Sequence, residues 1–263
     1  MLITGAAGGI GAASAALLRA RGAQVVGLDL VADPAAGIIG CDLRDPEAVP
    51  RGVAAAIAQL GGLDVLVNNA GLGDPQSAGE PPDAAALAVL DVNLLAPWRV
   101  TAAALPALRA SRGRVVNVAS GLAHVTLPFA PAYIISKRGL VAYADSLRLE
   151  HGDAITVTTV YPGYVRTPIH DVSRAAGMAL EGTVPAEPLA AVARTIARSV
   201  LGPPARDLAT SRGGALLFAV VRRLPRRLVD RATLAVLRRL ARRGHFDGSA
   251  LAGPWAARLR DRR

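Results

Sequence analysis

From its start to about residue 200, the chain alternates short apolar runs, bounded by turn residues, with alanine- and leucine-rich segments of helical length. The runs at 2–4, 24–29, 38–41, 65–68, 114–119 and 155–161, with a weaker one at 207–210, predict strands. Most are apolar throughout, the pattern of strands buried on both faces, whereas a sheet with one wet face alternates. Helices are predicted over 10–21, 46–60, 84–110, 131–151 and 186–201. Strand and helix in regular succession predict an α/β fold, a doubly wound parallel sheet with helices on both faces. No internal repeat or linker divides residues 1–200. One domain is therefore expected over 1–210, followed by a basic C-terminal helical extension over 211–263.

Composition supports a globular chain: 52% of residues are hydrophobic and 19% charged, which fits neither disorder nor collagen. Aromatics are only 3%, so the core must be built from Ala, Val and Leu. Cys41 is the single cysteine, which excludes an intrachain disulfide and a cysteine-based structural zinc site. His151, His170 and His245 have no metal-ligand spacing with one another or with Cys41, and no metal is expected. Met1-Leu2-Ile3 runs straight into Thr4-Gly5, without the basic stretch and apolar run of a signal peptide, so the expected location is cytoplasmic. The apolar stretches also look too short to span a bilayer, which takes about 20 residues.

Gly5, Gly9 and Gly11, in Thr4-Gly5-Ala6-Ala7-Gly8-Gly9-Ile10-Gly11, lie between the first strand and the first helix. Glycine there permits a tight turn and lets backbone amides approach a pyrophosphate at the positive end of the helix, as in a Rossmann-type fold. A helix-packing turn would use the same residues. The second strand ends at Asp29, 18 residues after Gly11 and near the spacing at which a carboxylate meets the adenosine ribose hydroxyls. A solvated strand end is the plainer reading of Asp29. A carboxylate would repel a 2′-phosphate, and no Arg or Lys occupies positions 6–10 or the two residues after Asp29, so NAD is expected over NADP.

Tyr133-Ile134-Ile135-Ser136-Lys137 sits in a helical segment, so Tyr133 and Lys137, at i and i+4, project from one face. Lys137 is the only lysine; the other basic residues are all arginine. A phenol titrates near 10 and is a poor base at neutral pH unless a cation stabilises its anion, which an ammonium at this spacing can do.

With these motifs the chain resembles the short-chain dehydrogenase/reductase family over residues 2 to about 200. The glycine motif matches at Gly5, Gly9 and Gly11, and Asp42-Leu43 matches the pair that places adenine. Asn68-Asn69-Ala70-Gly71 matches the motif after the fourth strand, and Asn93 the active-site asparagine of the long fourth helix. Ser120, 13 residues before Tyr133, matches the family serine; Pro162-Gly163 follows the sixth strand, with Thr167 where the family contacts the carboxamide. The resemblance implies a catalytic set of Asn93, Ser120, Tyr133 and Lys137. It implies cofactor contacts from Gly5, Gly9, Ile10, Gly11, Asp29, Asp42, Leu43, Asn69, Ala70, Gly71, Tyr133, Lys137, Pro162, Gly163, Val165 and Thr167. Ser120 would orient the substrate oxygen and Tyr133 exchange a proton with it. Lys137 would bind the ribose and depress the Tyr133 pKa, and Asn93 would hold a water linking Lys137 to solvent. On residue type alone Ser120 also reads as a strand-end cap, and Asn93 as a kink, being costly in mid-helix. One departure is the first strand, which has only three residues before Thr4.

These expectations describe an NAD-dependent oxidoreductase moving a hydride between nicotinamide and a secondary alcohol or ketone. The substrate is expected to be apolar, because residues 121–132 offer few charged contacts. A homo-oligomer is expected with it. The alternative is a catalytically silent dinucleotide-sensing regulatory protein. His124 is read as a loop residue within reach of substrate and Trp98 as a helix-interface residue. Residues 168–188 read as a mobile substrate lid carrying His170, Met178 and Leu180.

The formal charge of +10 is all in the tail: residues 1–200 hold 15 Lys+Arg against 16 acids, residues 201–263 hold 15 Arg against 4. Without a recognised motif and with few aromatics, nucleic acid is not the expected partner. Val229, Thr233, Val236, Leu237 and Leu240 fall on one side of a helical wheel, with Arg231, Arg238, Arg239, Arg242 and Arg243 on the other. Such a helix either docks on an anionic membrane or acidic partner, or caps the domain's own core with its arginines in solvent. Pro225 separates it from an apolar run, 215–221, placed to pack over the substrate entrance.

Overall fold

The computed structural model describes residues 1–178 and 185–261. Seven parallel strands form one sheet in the order β3-β2-β1-β4-β5-β6-β7. They are β1 (Leu2–Thr4), β2 (Val26–Asp29), β3 (Ile38–Gly40), β4 (Val65–Asn68), β5 (Arg114–Val118), β6 (Thr156–Tyr161) and β7 (Asp207–Ala209). The order reverses between β1 and β4, the switch point outside whose carboxyl ends ligands bind in doubly wound sheets. β1 is as short as expected yet is not frayed: it pairs with β2 on one side and β4 on the other.

Successive residues of each strand feed opposite faces, which explains the unbroken apolar runs. Leu2, Leu66, Val115 and Val157 face helices α2 (Ala48–Leu60), α4 (Ala96–Ala110) and α5 (Pro131–His151), packing on Val53, Val100 and Ala144. Ile3, Val67, Val116 and Val160 face α1 (Gly9–Arg19) and α7 (Leu189–Leu201), packing on Leu18 and Ile196. Burying each Val, Leu or Ile contributes about 1.5–3 kcal/mol, and both layers are needed to cover the sheet.

The segment 84–110 is helical throughout, as expected, but its hydrogen-bond ladder widens once. α3 (Ala84–Leu90), capped by the Asp83 carboxylate on the Ala86 N–H, passes through a π-turn at Asp91–Leu95 into α4. Although Ala84–Ala110 is long and apolar enough by composition to cross a membrane, Val89, Asn93, Ala96, Val100, Ala104 and Leu108 are buried inside the protein. A short α6 (Asp171–Ala175) lies in the expected lid.

The extension forms three helices: α8 (Arg212–Val221), α9 (Arg226–Arg242) and α10 (Gly253–Asp261). Leu237 and Ala241 of α9 join Phe246, Ala252, Ala256 and Leu259 in a small core, with Leu240 and Trp255 packed against it. Phe129 and Met178 from the sheet domain complete that core, so the extension is docked on the domain. Leu237 and Leu240 of the apolar side of α9 are thus packed within the molecule, as in the capping alternative, while Val236 of the same side is exposed. Arg239, Arg242 and Arg243 are exposed.

Candidate active site

The carboxyl ends of β1, β4, β5 and β6 bring the site together. After β1, Gly5 has φ +66 and a methyl there would lie 2.8 Å from Ala70 Cα; one on Gly11 would lie 1.9 Å from the Gly5 carbonyl oxygen. No side chain fits at either position, and the loop presses on the turn after β4. That turn is bound in place: Thr4 Oγ1 accepts the N–H groups of Asn69 at 3.0 Å and Ala70 at 3.1 Å, and Asn69 Nδ2 donates to the Thr4 and Gly5 carbonyls, each at 3.0 Å. α1 begins from Gly8 with no side-chain cap and no acid in its first turn. The first-turn N–H groups of Gly9, Ile10 and Gly11 therefore form an anion cradle at the positive helix end, which fits a dinucleotide pyrophosphate. Thr167 lies beside it, its Cγ2 3.3 Å from the position of a methyl on Gly9.

Asp29, at the end of β2, accepts the Ala7 N–H on Oδ2 and the Leu30 N–H on Oδ1, both at 2.8 Å. It thereby closes the glycine loop, and its oxygens keep lone pairs for ribose hydroxyls. Asp42 is held by Arg44 through bonds of 3.0, 3.2 and 2.7 Å, and that guanidinium keeps its carboxyl below the usual range. Leu43 and Val165 send their side chains into the two core layers, leaving only their backbone for a cofactor. Pro162 and Gly163 follow β6, where the Pro162 carbonyl accepts the Gly121 N–H at 2.8 Å and Gly163 approaches Glu187.

Ser120, at the end of β5, caps the Gly121–Ala123 turn by accepting the Leu122 N–H at 3.2 Å. It is a strand-end cap and a site residue at once, because its hydroxyl also acts on the Tyr133 phenol. α5 carries Tyr133 and Lys137 one turn apart, and Lys137 Nζ lies 5.7 Å from the Tyr133 ring centre. Burial pushes the phenol above its ordinary pKa and the Ser120 hydroxyl draws it partly back. Burial alone brings Lys137 down to about 8. The ammonium donates to the Val118 carbonyl at 3.0 Å and lies 3.6 Å from where a methyl on Gly71 would stand.

Asn93 sits in the π-turn, where the widened ladder accommodates a residue that a regular α-helix disfavours. Its amide is committed: Oδ1 accepts the Leu72 N–H at 2.7 Å, and Nδ2 donates to the Leu72 carbonyl at 2.9 Å and to Ser136 Oγ at 3.1 Å. Ser136 in turn donates to the Tyr133 carbonyl at 2.7 Å. The side chain is therefore a clamp between the β4 turn and α5, and any water it holds must meet its backbone.

Several residues at the site carried no signal of their own in the sequence. Thr4, Leu72, Ser136 and Val118 act through contacts distant in sequence. Ile169 reaches the Gly71–Gly73 loop, and His170 packs on Tyr164 at 4.9 Å. Met178 joins the core of the extension, and Leu180 lies outside the described residues. From α8, Phe218 packs 4.9 Å from His124 and against Gly121, and Arg222 Nη2 approaches His124 Nε2 at 3.1 Å. The apolar run thus packs beside the Gly121–His124 turn. Trp98 stacks on Tyr143 of α5 at 5.3 Å, with much of its ring still exposed. Among the described residues no group of His, Cys, Asp and Glu could hold a metal ion.

The sequence profile described as short chain dehydrogenase matches residues 1–177. A D-beta-hydroxybutyrate dehydrogenase of Rhizobium meliloti (strain 1021) is 30% identical over 185 residues, covering 64% of this chain and 72% of that protein. The oxidoreductase UcpA of Escherichia coli (strain K12) is 34% identical over 183 residues, covering 64% and 70%. A short chain dehydrogenase from Burkholderia cenocepacia J2315, solved in complex with NADP, superposes with a TM-score of 0.74 at 24% identity over 89% of this chain and 96% of that one. The last likeness is one of fold.

Proposed function

Because the chain belongs to the short-chain dehydrogenase family of oxidoreductases, we propose that it interconverts an apolar secondary alcohol and its ketone with NAD. The observation that carries this reading is the buried Lys137 ammonium one helical turn from Tyr133 and 5.7 Å from its ring centre, with the Ser120 hydroxyl acting on the phenol, at the carboxyl end of the sheet and next to the glycine cradle. A substrate oxygen enters between the two hydroxyls. Ser120 orients it, and Tyr133 gives or takes its proton. The Lys137 charge offsets the burial that holds the phenol up, since an opposite charge nearby favours the phenolate. A nicotinamide ring bound there would supply or accept the hydride. Asp29 supports NAD: its carboxylate repels a 2′-phosphate, and residues 30–37 contain no Arg or Lys. Tyr133 and Lys137 are both present, which speaks against a silent dinucleotide sensor. Self-association belongs to the same reading, with exposed Leu95 and Trp98 on the α4 side as the contact for a second copy; light scattering of Trp98→Ser tests it.

The deciding experiment titrates NADH and NADPH by fluorescence, then screens apolar secondary alcohols with NAD. Tighter NADH binding, narrowed in Asp29→Ala, is expected. Tighter NADPH binding overturns the NAD assignment, and turnover that survives Tyr133→Phe overturns the proton-transfer role.

A further inference from the structure

α8 has two apolar sides, and the domain covers only one. Phe218 and Arg222 turn inward, to Gly121, His124 and Tyr161. On the opposite side Leu216, Leu217 and Val220 are 69%, 52% and 46% exposed, and Leu224 and Leu228 continue the strip around the α8–α9 turn at 42% and 44%. Positions 216, 217, 220 and 224 share one helical face. Residues 211–229 contain five arginines and no acid. Arg223, Arg226 and Arg227 are exposed and form no ion pair among the described residues.

Apolar side chains beside unpaired guanidinium groups match a surface that offers hydrocarbon and phosphate together. We propose that the outer face of α8 and the α8–α9 turn dock on the anionic surface of a lipid bilayer. Leu216, Leu217, Val220 and Leu224 enter the acyl boundary, and Arg223, Arg226 and Arg227 meet the headgroup phosphates. A second copy is the poorer occupant, because a twofold contact sets the same patch against itself and would oppose arginine to arginine. α9 turns Leu237 and Leu240 to the core of the extension, while its Leu234 and Val236 stay exposed. Since α8 also packs beside the Gly121–His124 turn, docking would hold that turn within about one helix diameter, roughly 10 Å, of the lipid. The docking does not depend on the oxidoreductase reading.

The test is co-sedimentation of the full chain with phosphatidylcholine vesicles and with vesicles that also contain phosphatidylglycerol, at low and high salt. Binding that requires phosphatidylglycerol and weakens with salt is expected. Arg223→Gln and Arg226→Gln should each weaken it about fivefold. The triple change Leu216→Ser, Leu217→Ser and Val220→Ser should abolish it while circular dichroism and NADH binding stay at wild-type values. The proposal is overturned if anionic vesicles do not retain the chain, if the triple variant binds as well as wild type, or if that variant dissociates an oligomer in vesicle-free solution, which would assign the face to a second copy. Failure here leaves the cofactor titration, and the oxidoreductase reading with it, untouched.

Discussion

Lys137 is the only lysine and is 3% exposed, with its one hydrogen bond among the described residues to the Val118 carbonyl. Its pKa, about 8 in the fold against 10.5 for the free side chain, makes stability depend on pH. Below about 8 both states carry the proton, and folding bears the full cost of burying a cation. Between about 8 and 10.5 the unfolded chain binds more protons, so stability rises with pH. Cys41, whose thiol burial pushes up, works the opposite way above its ordinary 9.0 and cancels only in a comparison. Lys137→Met is therefore expected to melt above wild type at pH 7, with the difference shrinking toward pH 10; a constant difference would refute the argument. At Tyr133, replacement by Phe keeps the ring and removes the proton carrier. Turnover should fall by about 10²–10⁴-fold with NADH affinity nearly unchanged.

At the scale of elements, the π-turn and the α8 anchor decide the shape of the site. Asn93→Ala leaves the Leu72 N–H and carbonyl and the Ser136 hydroxyl without their partner, and a buried unpaired group costs about 1–3 kcal/mol. A lowered melting temperature and a lowered kcat are both expected, because Ser136 connects this clamp to the backbone of Tyr133; an unchanged melting temperature would show that the clamp contributes nothing. The anchor depends on His124, brought to about 4 by burial and by Arg222. Arg222 can only donate, so the imidazole must be neutral and accept through Nε2. His124 titrates below its ordinary 6.5, so its share of stability is complete above 6.5 and is lost as pH falls toward about 4. Limited proteolysis within 211–224 should speed up between pH 7 and pH 4.5, and Phe218→Ala should show the faster cleavage already at pH 7.

In the whole molecule the extension packs on the segment before α5 and on the residues that follow α6. Trp255 meets Phe129 edge-on at 5.4 Å, and Gly177 abuts Gly248 and Ser249. A chain ending at residue 210 loses these supports but keeps Gly5–Gly11, Asp29 and Lys137. NADH binding should survive the truncation, while KM for an apolar substrate rises about tenfold or more and residues 121–130 become open to proteases. A truncated chain with unchanged KM would remove the extension from substrate recognition.

The sequence by itself determined the strands, the helices that cover them on both faces, and the places of the glycine loop and of the Tyr133–Lys137 pair. Strands buried on both faces must be apolar throughout, and all seven predicted runs are strands within a residue or two of their expected ends. Gly5, Gly11, Asp29, Tyr133 and Lys137 were also legible, because turn geometry, strand ends and helical spacing are local properties. Contacts between segments far apart in sequence were decided only by the tertiary structure. The π-turn exists because Asn93 must clasp Leu72, 21 residues earlier in the chain. Leu43 and Val165, in the loops after β3 and β6, point into core layers built from helices and strands distant in sequence. The apolar stripe of α9 could be read equally for a membrane or for a core, since amphipathicity says that a face is covered and not by what. Only packing against Phe129, Phe246 and Ala256 shows that Leu237 and Leu240 of this stripe are covered from within the molecule, while Val236 of the same stripe stays in water.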